Sequence, residues 1–586
     1  MITNILKKCF PFPPRDNQLD IACEIVNAFT DHKHVILNAP TGVGKSVIAM
    51  AVANYFNKTT SIVTSEKILQ DQYTDDFNFS NIVSVKGVNA YTCPIDGKSA
   101  SEAPCRLLGI KECNEYCDYH QMLLRRSRKI WITNYNIALT YPMFSKRQHF
   151  LIIADEMHKI ESILLGNVTC TISIGFLDTL EKRLNLLNNN NNTSFSITNL
   201  YELFFKGKNK NDPDKIQFYY DIFQDFNYHL SFIIAEIDRI LRNNYEDLKY
   251  KSYEGLSEDD HDRLKSMKYF SNTGVFITNF MHKFKILYEY INKITWIVEL
   301  AEKEMVFKPV YANFLFNDII NPLSEKFLYM SATSYCKSMF TNEFAISNDE
   351  KVYEIAVDSP FPINNRKIYI SNFASMSYDN IKESQQKMLG CIDDMLDNVQ
   401  CRSVIHTGNY SIAQYISDHS RHTNRIVAPR SGQREIMIET MFKQKPNGIL
   451  VSPSLIEGLS LNDDMCRVQI VVKVPYTSLA DKRVKIRASQ NPNWYSQEAI
   501  FKIVQSSGRG VRHKDDYCIT FILDSSFDRL YNTHQQIFPF WFLKAIEYIN
   551  VDEIIPTLNN FLQNHVEDKQ IFEKKPNPLF DFELPF

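Results

Sequence analysis

The sequence predicts an α/β protein built on two parallel sheets, the first of them interrupted by insertions. Three observations carry this. QLDIACEIVNAF, HVILNAP, KSVIAMAVANYF and TSIVTS alternate helical apolar spacing with short β-rich runs, the βαβ rhythm of a parallel sheet covered by helices. IWITNYN and FLIIADE resume that rhythm after an irregular stretch. From about residue 366 it returns a second time, with SVIHTG, NGILVSP, VQIVVKVP and YCITFIL as buried strands.

The interruptions have their own character. Residues 86–126 are irregular and rich in cysteine. Residues 166–305 carry long aromatic-rich helical patterns, of which FYYDIFQDFNYHLSFIIAEIDRIL and VFITNFMHKFKILYEYINKITWIVEL are the clearest. Aromatic stripes at this spacing are read as helix–helix core. The run Asn188 to Asn192 is expected to be a loop.

Composition sets the outer bounds. With 586 residues, 44% hydrophobic and 23% charged, the chain can bury several cores, which excludes a disordered or fibrous protein. The net charge of −3 means that any nucleic-acid surface is a local patch. Twelve cysteines in such a length make no disulfide scaffold. No secretory signal opens the sequence and no apolar run reaches about 18 residues. The expectation is a cytoplasmic chain without a membrane segment, and the Asn/Ile/Lys-rich composition suggests a bacterial cell or a phage-infected host.

Ala39-Pro40-Thr41-Gly42-Val43-Gly44-Lys45-Ser46 follows a predicted strand and opens a predicted helix, the context in which such a turn cradles phosphates. Gly42 and Gly44 let the backbone N–H groups of Thr41 to Ser46 curl inward, and the helix N-terminus adds its positive end. Lys45 reaches toward the β- and γ-phosphates of ATP, while the Ser46 hydroxyl suits Mg²⁺. Further on, the apolar strand FLIIADE delivers two acids at its C-terminal end, where ligands gather in an open parallel sheet. Asp155 is placed to hold Mg²⁺ through its hydration shell, and Glu156 to act as the base on the attacking water.

These two motifs together resemble a superfamily 2 helicase, and further residues resemble its XPD/Rad3/DinG iron-sulfur branch. Phe12-Pro13-Pro14-Arg15-Asp16-Asn17-Gln18 is similar to the adenine-side motif, which implies base contacts by Arg15 and Gln18. Leu69-Gln70-Asp71-Gln72-Tyr73 resembles motif Ia, which faces the DNA strand, and Met330-Ser331-Ala332-Thr333 resembles motif III. Ser359-Pro360-Phe361-Pro362 is similar to a family signature, and Glu457-Gly458-Leu459-Ser460 to motif V, with Ser460 where Asp is frequent. Gln505-Ser506-Ser507-Gly508-Arg509-Gly510-Val511-Arg512 matches motif VI. Arg509 and Arg512, three apart, are expected one helical turn apart on a single face, where they would bring positive charge to the γ-phosphate. Such a finger is worth roughly 10³–10⁵ in rate. An isolated R-x-x-R would be read as a solvated face; its place in an ordered set of motifs changes that.

Cys93, Cys105, Cys113 and Cys117 are separated by eleven, seven and three residues, without C-x₂-C knuckles. Four thiolates suit either Zn²⁺ or a [4Fe–4S] cluster. The resemblance implies the iron-sulfur cluster, folded as a rigid wedge beside the DNA. Arg125, Arg126, Arg128 and Lys129, and again Lys482, Arg483, Lys485 and Arg487, form basic clusters suited to a phosphate-tracking groove. Tyr91, Tyr116, Tyr119 and Trp131 are candidates for base stacking or for core.

The resemblance implies the following organisation: a first RecA-like domain from residues 1–85, 127–165 and 306–365; an iron-sulfur insertion at 86–126; a helical arch at 166–305; and a second RecA-like domain at 366–586. It implies an ATP-hydrolysing DNA helicase that moves 5′-to-3′ on single-stranded DNA as a monomer. Forked or tailed duplexes, and DNA–RNA hybrids, are its expected partners. The alternative is an ATP-driven translocase that displaces proteins or R-loops without processive unwinding.

Overall fold

The apolar runs become strands where β-branched residues cluster and end where Asn, Gly or Asp breaks them. The computed structural model of the chain describes residues 2–15, 17–77, 81–95, 97–103, 116–191, 216–248, 255–301, 303–333, 336–346, 351–428, 442–452, 461 and 463–572. In chain order the first strands are β1 (His34–Asn38), β2 (Thr60–Thr64), β3 (Ile82–Ser84), β4 (Ile130–Asn134) and β5 (His149–Asp155). An insertion carries β6 (Cys170–Ser173), β7 (Trp296–Leu300) and β8 (Glu304–Pro309), and the chain then returns as β9 (Ser324–Ser331) and β10 (Val352–Ala356). These give a seven-stranded sheet of order β10-β1-β9-β5-β2-β4-β3 and a separate three-stranded sheet, β6-β8-β7. The pairs β9–β5, β5–β2, β2–β4 and β4–β3 run parallel. Both faces are covered, so β2 and β4 are buried at every position, as parallel sheets demand.

The second sheet comprises β11 (Ile368–Ala374), β12 (Ser403–His406), β13 (Ile426–Val427), β14 (Ile449–Ser452), β15 (Val468–Val471), β16 (Ile519–Asp524) and β17 (Ile546–Tyr548). Its order is β13-β14-β12-β15-β16-β11-β17, with every neighbouring pair parallel. Alternation along the strands divides two cores. Ile470 and Phe521 pack with Ile392, Leu396 and Leu558 on one face, while Val471 and Ile522 pack with Ile500, Val504 and Phe542 on the other. Two parallel RecA-like sheets of α/β type are therefore present. The chain divides into two compact units, one of Met1–Ile36, Ser46–Met330 and Lys337–Glu354, the other of Leu37–Lys45, Ser331–Cys336 and Ile355–Phe586.

Seven helices position the site or the insertion: α1 (Gln18–Ala28), α2 (Lys45–Phe56), α3 (Lys67–Asp76), α4 (Asp118–Arg125), α5 (Ile174–Asn191), α6 (Ile216–Leu248) and α7 (Glu258–Tyr290). The aromatic stripes are helix–helix core, as expected: Phe226 meets Phe284 edge-on at 5.7 Å and Phe176 stacks on Phe280 at 4.3 Å. α7 opens on a capping box between Ser257 and Asp260. Three expectations change. Asn188–Asn191 belong to α5, because extending a formed helix costs only a few tenths of a kcal/mol per residue even for Asn; Asn192 lies outside the described residues. The segment ending in WIVEL is helical only to Tyr290, and its β-branched end pairs as β7 with β8. The insertion is thus not wholly helical, since a three-stranded antiparallel sheet joins its two ends.

His149 on β5 is buried between the Ser61 hydroxyl, 3.0 Å from Nδ1, and the Phe144 carbonyl, 3.0 Å from Nε2. Burial pushes its pKa down from 6.5 to about 4. The unfolded chain therefore takes up this proton first, so the contribution is complete above pH 6.5 and is lost as pH falls toward 4. The loss amounts to roughly 3 kcal/mol. His149→Gln, which cannot titrate, should flatten the acid limb of the urea-midpoint profile; an identical limb in both proteins would refute this.

Candidate nucleotide and metal site

β1 delivers the turn Ala39–Ser46, and α2 begins at Lys45. Gly42 and Gly44 adopt φ of 85° and 83°, the left-handed region that side chains disfavour. At Gly42 space is a second reason, because a Cβ there would lie 1.9 Å from the ring of Phe361. Thr41 Oγ1 donates to the Gly508 carbonyl at 3.0 Å, and Val43 is buried. Lys45 Nζ donates to the carbonyls of Ala39 at 3.0 Å and Pro40 at 3.4 Å, folding over its own turn. In the adenine-side segment, Gln18 is buried and its Oε1 accepts the Arg15 N–H at 2.9 Å, while the Arg15 side chain is exposed.

β5 ends on Asp155, which is buried. One of its oxygens accepts the Tyr73 hydroxyl at 3.0 Å and the other accepts the Glu156 N–H at 3.0 Å. The Tyr73 hydroxyl also meets the Ser46 side chain. Burial, then the Asp155 charge, pushes the Tyr73 phenol well above its usual value, so it stays a donor. Tyr135 donates to the Asp155 carbonyl at 2.9 Å. Glu156 takes a left-handed φ of 53°, uncommon for its type, and its carboxylate lies 3.4 Å from His158 Nδ1. Ser46 and Asp155 thus share one hydroxyl neighbour, and their hard oxygen donors fit Mg²⁺.

This departs from the motif Ia expectation. Gln70 and Tyr73 on α3 are buried: the Gln70 amide donates to the Ser84 hydroxyl and to the carbonyls of Val85 and Ile132. Nothing in the sequence signals the Tyr73 contact, which spans 82 residues.

In the second unit, α8 (Lys482–Gln490) precedes α9 (Pro492–Ser507). Gln505 Nε2 donates to Thr333 Oγ1 at 2.9 Å, joining motif VI to the Ser331-Ala332-Thr333 segment. Arg509 and Arg512 do not share a helix face, because α9 stops at Ser507 and Gly508 caps it. Gly508 and Gly510 bracket Arg509 in an irregular turn, and a Cβ at Gly510 would lie 2.4 Å from the Cys518 sulfur. Glu457-Gly458-Leu459-Ser460 lies outside the described residues.

Of the four cysteines, Cys93 and Cys117 are described and buried; Cys105 and Cys113 lie outside the described residues. The Tyr91 and Tyr119 rings, each two residues from a cysteine, meet at 5.5 Å, which brings the two segments together. Cys117 is the N-cap of α4. By residue type alone, thiols suit a soft metal or a cluster. Tyr116 is 81% exposed, whereas Trp131 is buried beneath the Arg147 guanidinium at 4.2 Å and belongs to the core. In the second basic cluster Arg487 is also buried, 3.9 Å over Trp494, so it is a packing residue rather than a solvent-facing one.

Two family matches bracket these residues: the type III restriction enzyme res subunit over residues 11–198 and the helicase C-terminal domain over residues 392–545. A probable ATP-dependent helicase of Methanocaldococcus jannaschii is 20% identical over 89% of this chain and 93% of that protein. These matches mark the chain as an ATP-hydrolysing helicase, similar to the XPD/Rad3-like members of superfamily 2. A regulator of telomere elongation helicase 1 homolog of Caenorhabditis elegans is 27% identical over 112 residues, which are 16% of this helicase and only 11% of that protein. In fold, the helicase resembles a solved XPD helicase with a TM-score of 0.60 at 16% identity, covering 92% of this chain and 99% of that one. Among the described residues, no helix is long and apolar enough to cross a membrane.

The Gly42–Phe361 contact yields a test. Gly42→Ala should destabilise the chain by roughly 1–3 kcal/mol, from overlap and from the left-handed backbone. In a Phe361→Ala background the penalty should shrink, because the ring is gone. Equal penalties in both backgrounds, read by denaturant unfolding, would remove the ring from the account.

Proposed function

We propose that this helicase couples ATP turnover to 5′-to-3′ movement along single-stranded DNA and to the parting of duplex ahead of it. The observation that supports the reading most directly is the Tyr73 hydroxyl shared by Ser46 and Asp155. It makes a phosphate-side hydroxyl and a strand-end carboxylate near neighbours, as a magnesium–nucleotide site requires.

In this reading Thr41, Gly42, Val43, Gly44, Lys45 and Ser46 cradle the triphosphate, while Arg15 and Gln18 bound the adenine. Ser46 and Asp155 hold Mg²⁺, which when bound neutralises the phosphate oxygens. Glu156 takes the proton of the attacking water, and Gln505, Arg509 and Arg512 stabilise charge on the γ-phosphate. Cys93, Cys105, Cys113 and Cys117 hold a [4Fe–4S] cluster, which when bound cross-links a segment too short to fold on its own core. The exposed Tyr116, beside Cys117, offers a face on which a base of any identity can stack. The helicase works as a monomer in the cytoplasm, on tailed or forked DNA and on DNA–RNA hybrids.

Two measurements test this. Protein purified without oxygen, with its iron content recorded, should unwind a duplex bearing only a 5′ tail. Unwinding from the 3′ tail alone overturns the direction, and iron-free active protein overturns the cluster. ATP turnover without unwinding of either substrate would favour the translocase. Separately, Tyr73→Phe should weaken Mn²⁺ binding in the presence of ADP by roughly 10–100-fold, read by electron paramagnetic resonance, with the fold intact. Unchanged affinity would detach Tyr73 from the metal site.

A further inference from the structure

Behind motif VI lies a side-chain cluster to which no sequence motif pointed. Asp463, His513 and Asp516 bring their ligand atoms within 4.8 Å of one another, which by residue type alone invites a metal. The hydrogen bonds argue otherwise. The Asp516 side chain is wholly buried, and its Oδ1 accepts Arg467 Nη1 at 2.7 Å, the Asp463 N–H at 3.1 Å and the Tyr517 N–H at 3.0 Å. Its Oδ2 accepts the N–H of Arg512 at 3.0 Å. The guanidinium already supplies the positive charge that a cation would bring. Arg467 is itself fixed: Nη1 donates to the Tyr517 carbonyl at 2.9 Å, Nη2 pairs with Asp464 at 2.9 Å, and its plane lies 4.1 Å over the Tyr517 ring.

We infer that Asp516 is a positioning residue for Arg512: its buried carboxylate fixes the backbone from which the arginine projects. The motif VI turn needs such a device because α9 has ended at Ser507, so no helical hydrogen bonds hold the chain at Arg512. The same carboxylate holds the N–H of Asp463, whose φ of 55° is left-handed and whose side chain pairs with His513 Nε2 at 2.7 Å. One buried charge therefore ties the turn carrying Arg512 to the segment at Asp463, and Arg467 compensates that charge. A buried pair of this kind is poor value as stability but strong as a constraint on geometry.

The inference rests on the proposed role of Arg512 in hydrolysis, and the experiment separates the two. Asp516→Asn keeps the shape but turns an NH₂ group toward either Arg467 or the Arg512 N–H, where an acceptor is needed. With full-length protein and single-stranded DNA, kcat for ATP should fall by roughly 10–10²-fold, the penalty of a misplaced group. Affinity for a fluorescent ADP analogue should stay within about twofold, because Arg512 acts on the transferred phosphate rather than on bound ADP. Arg512→Ala should fall further, by roughly 10³–10⁵. The double variant should be no slower than Arg512→Ala alone, since a positioning residue has nothing left to position.

Unchanged kcat in folded Asp516→Asn overturns the inference while leaving Arg512 in its role. Multiplying losses in the double variant also overturn it, because Asp516 would then act elsewhere. Unchanged kcat in Arg512→Ala overturns the parent reading and this inference with it. Should Asp516→Asn fail to fold, Asp516→Glu keeps the charge opposite Arg467 and displaces the carboxylate by one methylene. The same comparison then decides, with a slowed kcat expected and an unchanged one overturning the inference.

Discussion

The first unit is organised around one buried carboxylate. Asp155 is 7% exposed at the point where β5 ends. In such a place a carboxylate oxygen left without a hydrogen-bond donor carries a desolvation cost. Donors from separate elements meet that need, the Tyr73 hydroxyl on one oxygen and the Glu156 N–H on the other. Much of the surrounding architecture follows from delivering those donors. α3 must lie where Tyr73 reaches Asp155, and the buried Gln70 amide fastens it to the ends of β3 and β4. Asn134, at the end of β4, donates to that same amide's oxygen at 3.1 Å. The left-handed turn at Glu156 then sends the next carboxylate away from Asp155 and toward His158.

The second unit solves a related problem with a different charge. Its sheet is parallel throughout, so apolar side chains dominate both faces, with few polar ones such as Gln469 and Thr520 among them. Motif VI ends in a turn, and turns have no ladder of their own. Gln505 is still on a helix when it reaches Thr333, whereas Arg509 and Arg512 come after the glycine that ends it. The Arg509 N–H still reaches the Ser506 carbonyl, whereas the Arg512 N–H is held by the buried Asp516 carboxylate, which pairs with Arg467.

What the sequence disclosed was local. The βαβ rhythm, the turn Ala39–Ser46 and the strand ending in Asp155 each lie within one short window, where spacing alone dictates geometry. Contacts between distant windows stayed hidden: Tyr73 to Asp155 spans 82 residues and Arg467 to Asp516 spans 49. Local reading also failed where a neighbour overruled propensity. Asn188–Asn191 are poor helix formers carried along by a helix whose Leu177, Leu180 and Leu184 are buried. The residues Trp296–Leu300 read as an extension of α7, yet they find a strand partner in Glu304–Pro309. Motif VI was legible as a string but not as a helix face, because α9 ends at Ser507, before either arginine.

The long insertion shows how a sheet accommodates such a burden. More than a hundred residues separate β5 from β9, yet these strands pair in register, with Asp155 opposite Met330. A flexible excursion of that length would add only modestly to the closure entropy, which grows with the logarithm of length. It would still leave the two ends free to wander. The three-stranded sheet removes that freedom: the chain leaves through β6 and comes back through β8, with Cys170 opposite Phe307 in one ladder. The departing and returning strands are thus a single ladder spacing apart, about 5 Å. Beyond this clamp, α6 and α7 bury their own aromatic seam of Phe226, Phe280 and Phe284 and draw little from the sheet. The insertion carries its own core and its own closure, so β9 meets β5 as though the chain had not been interrupted.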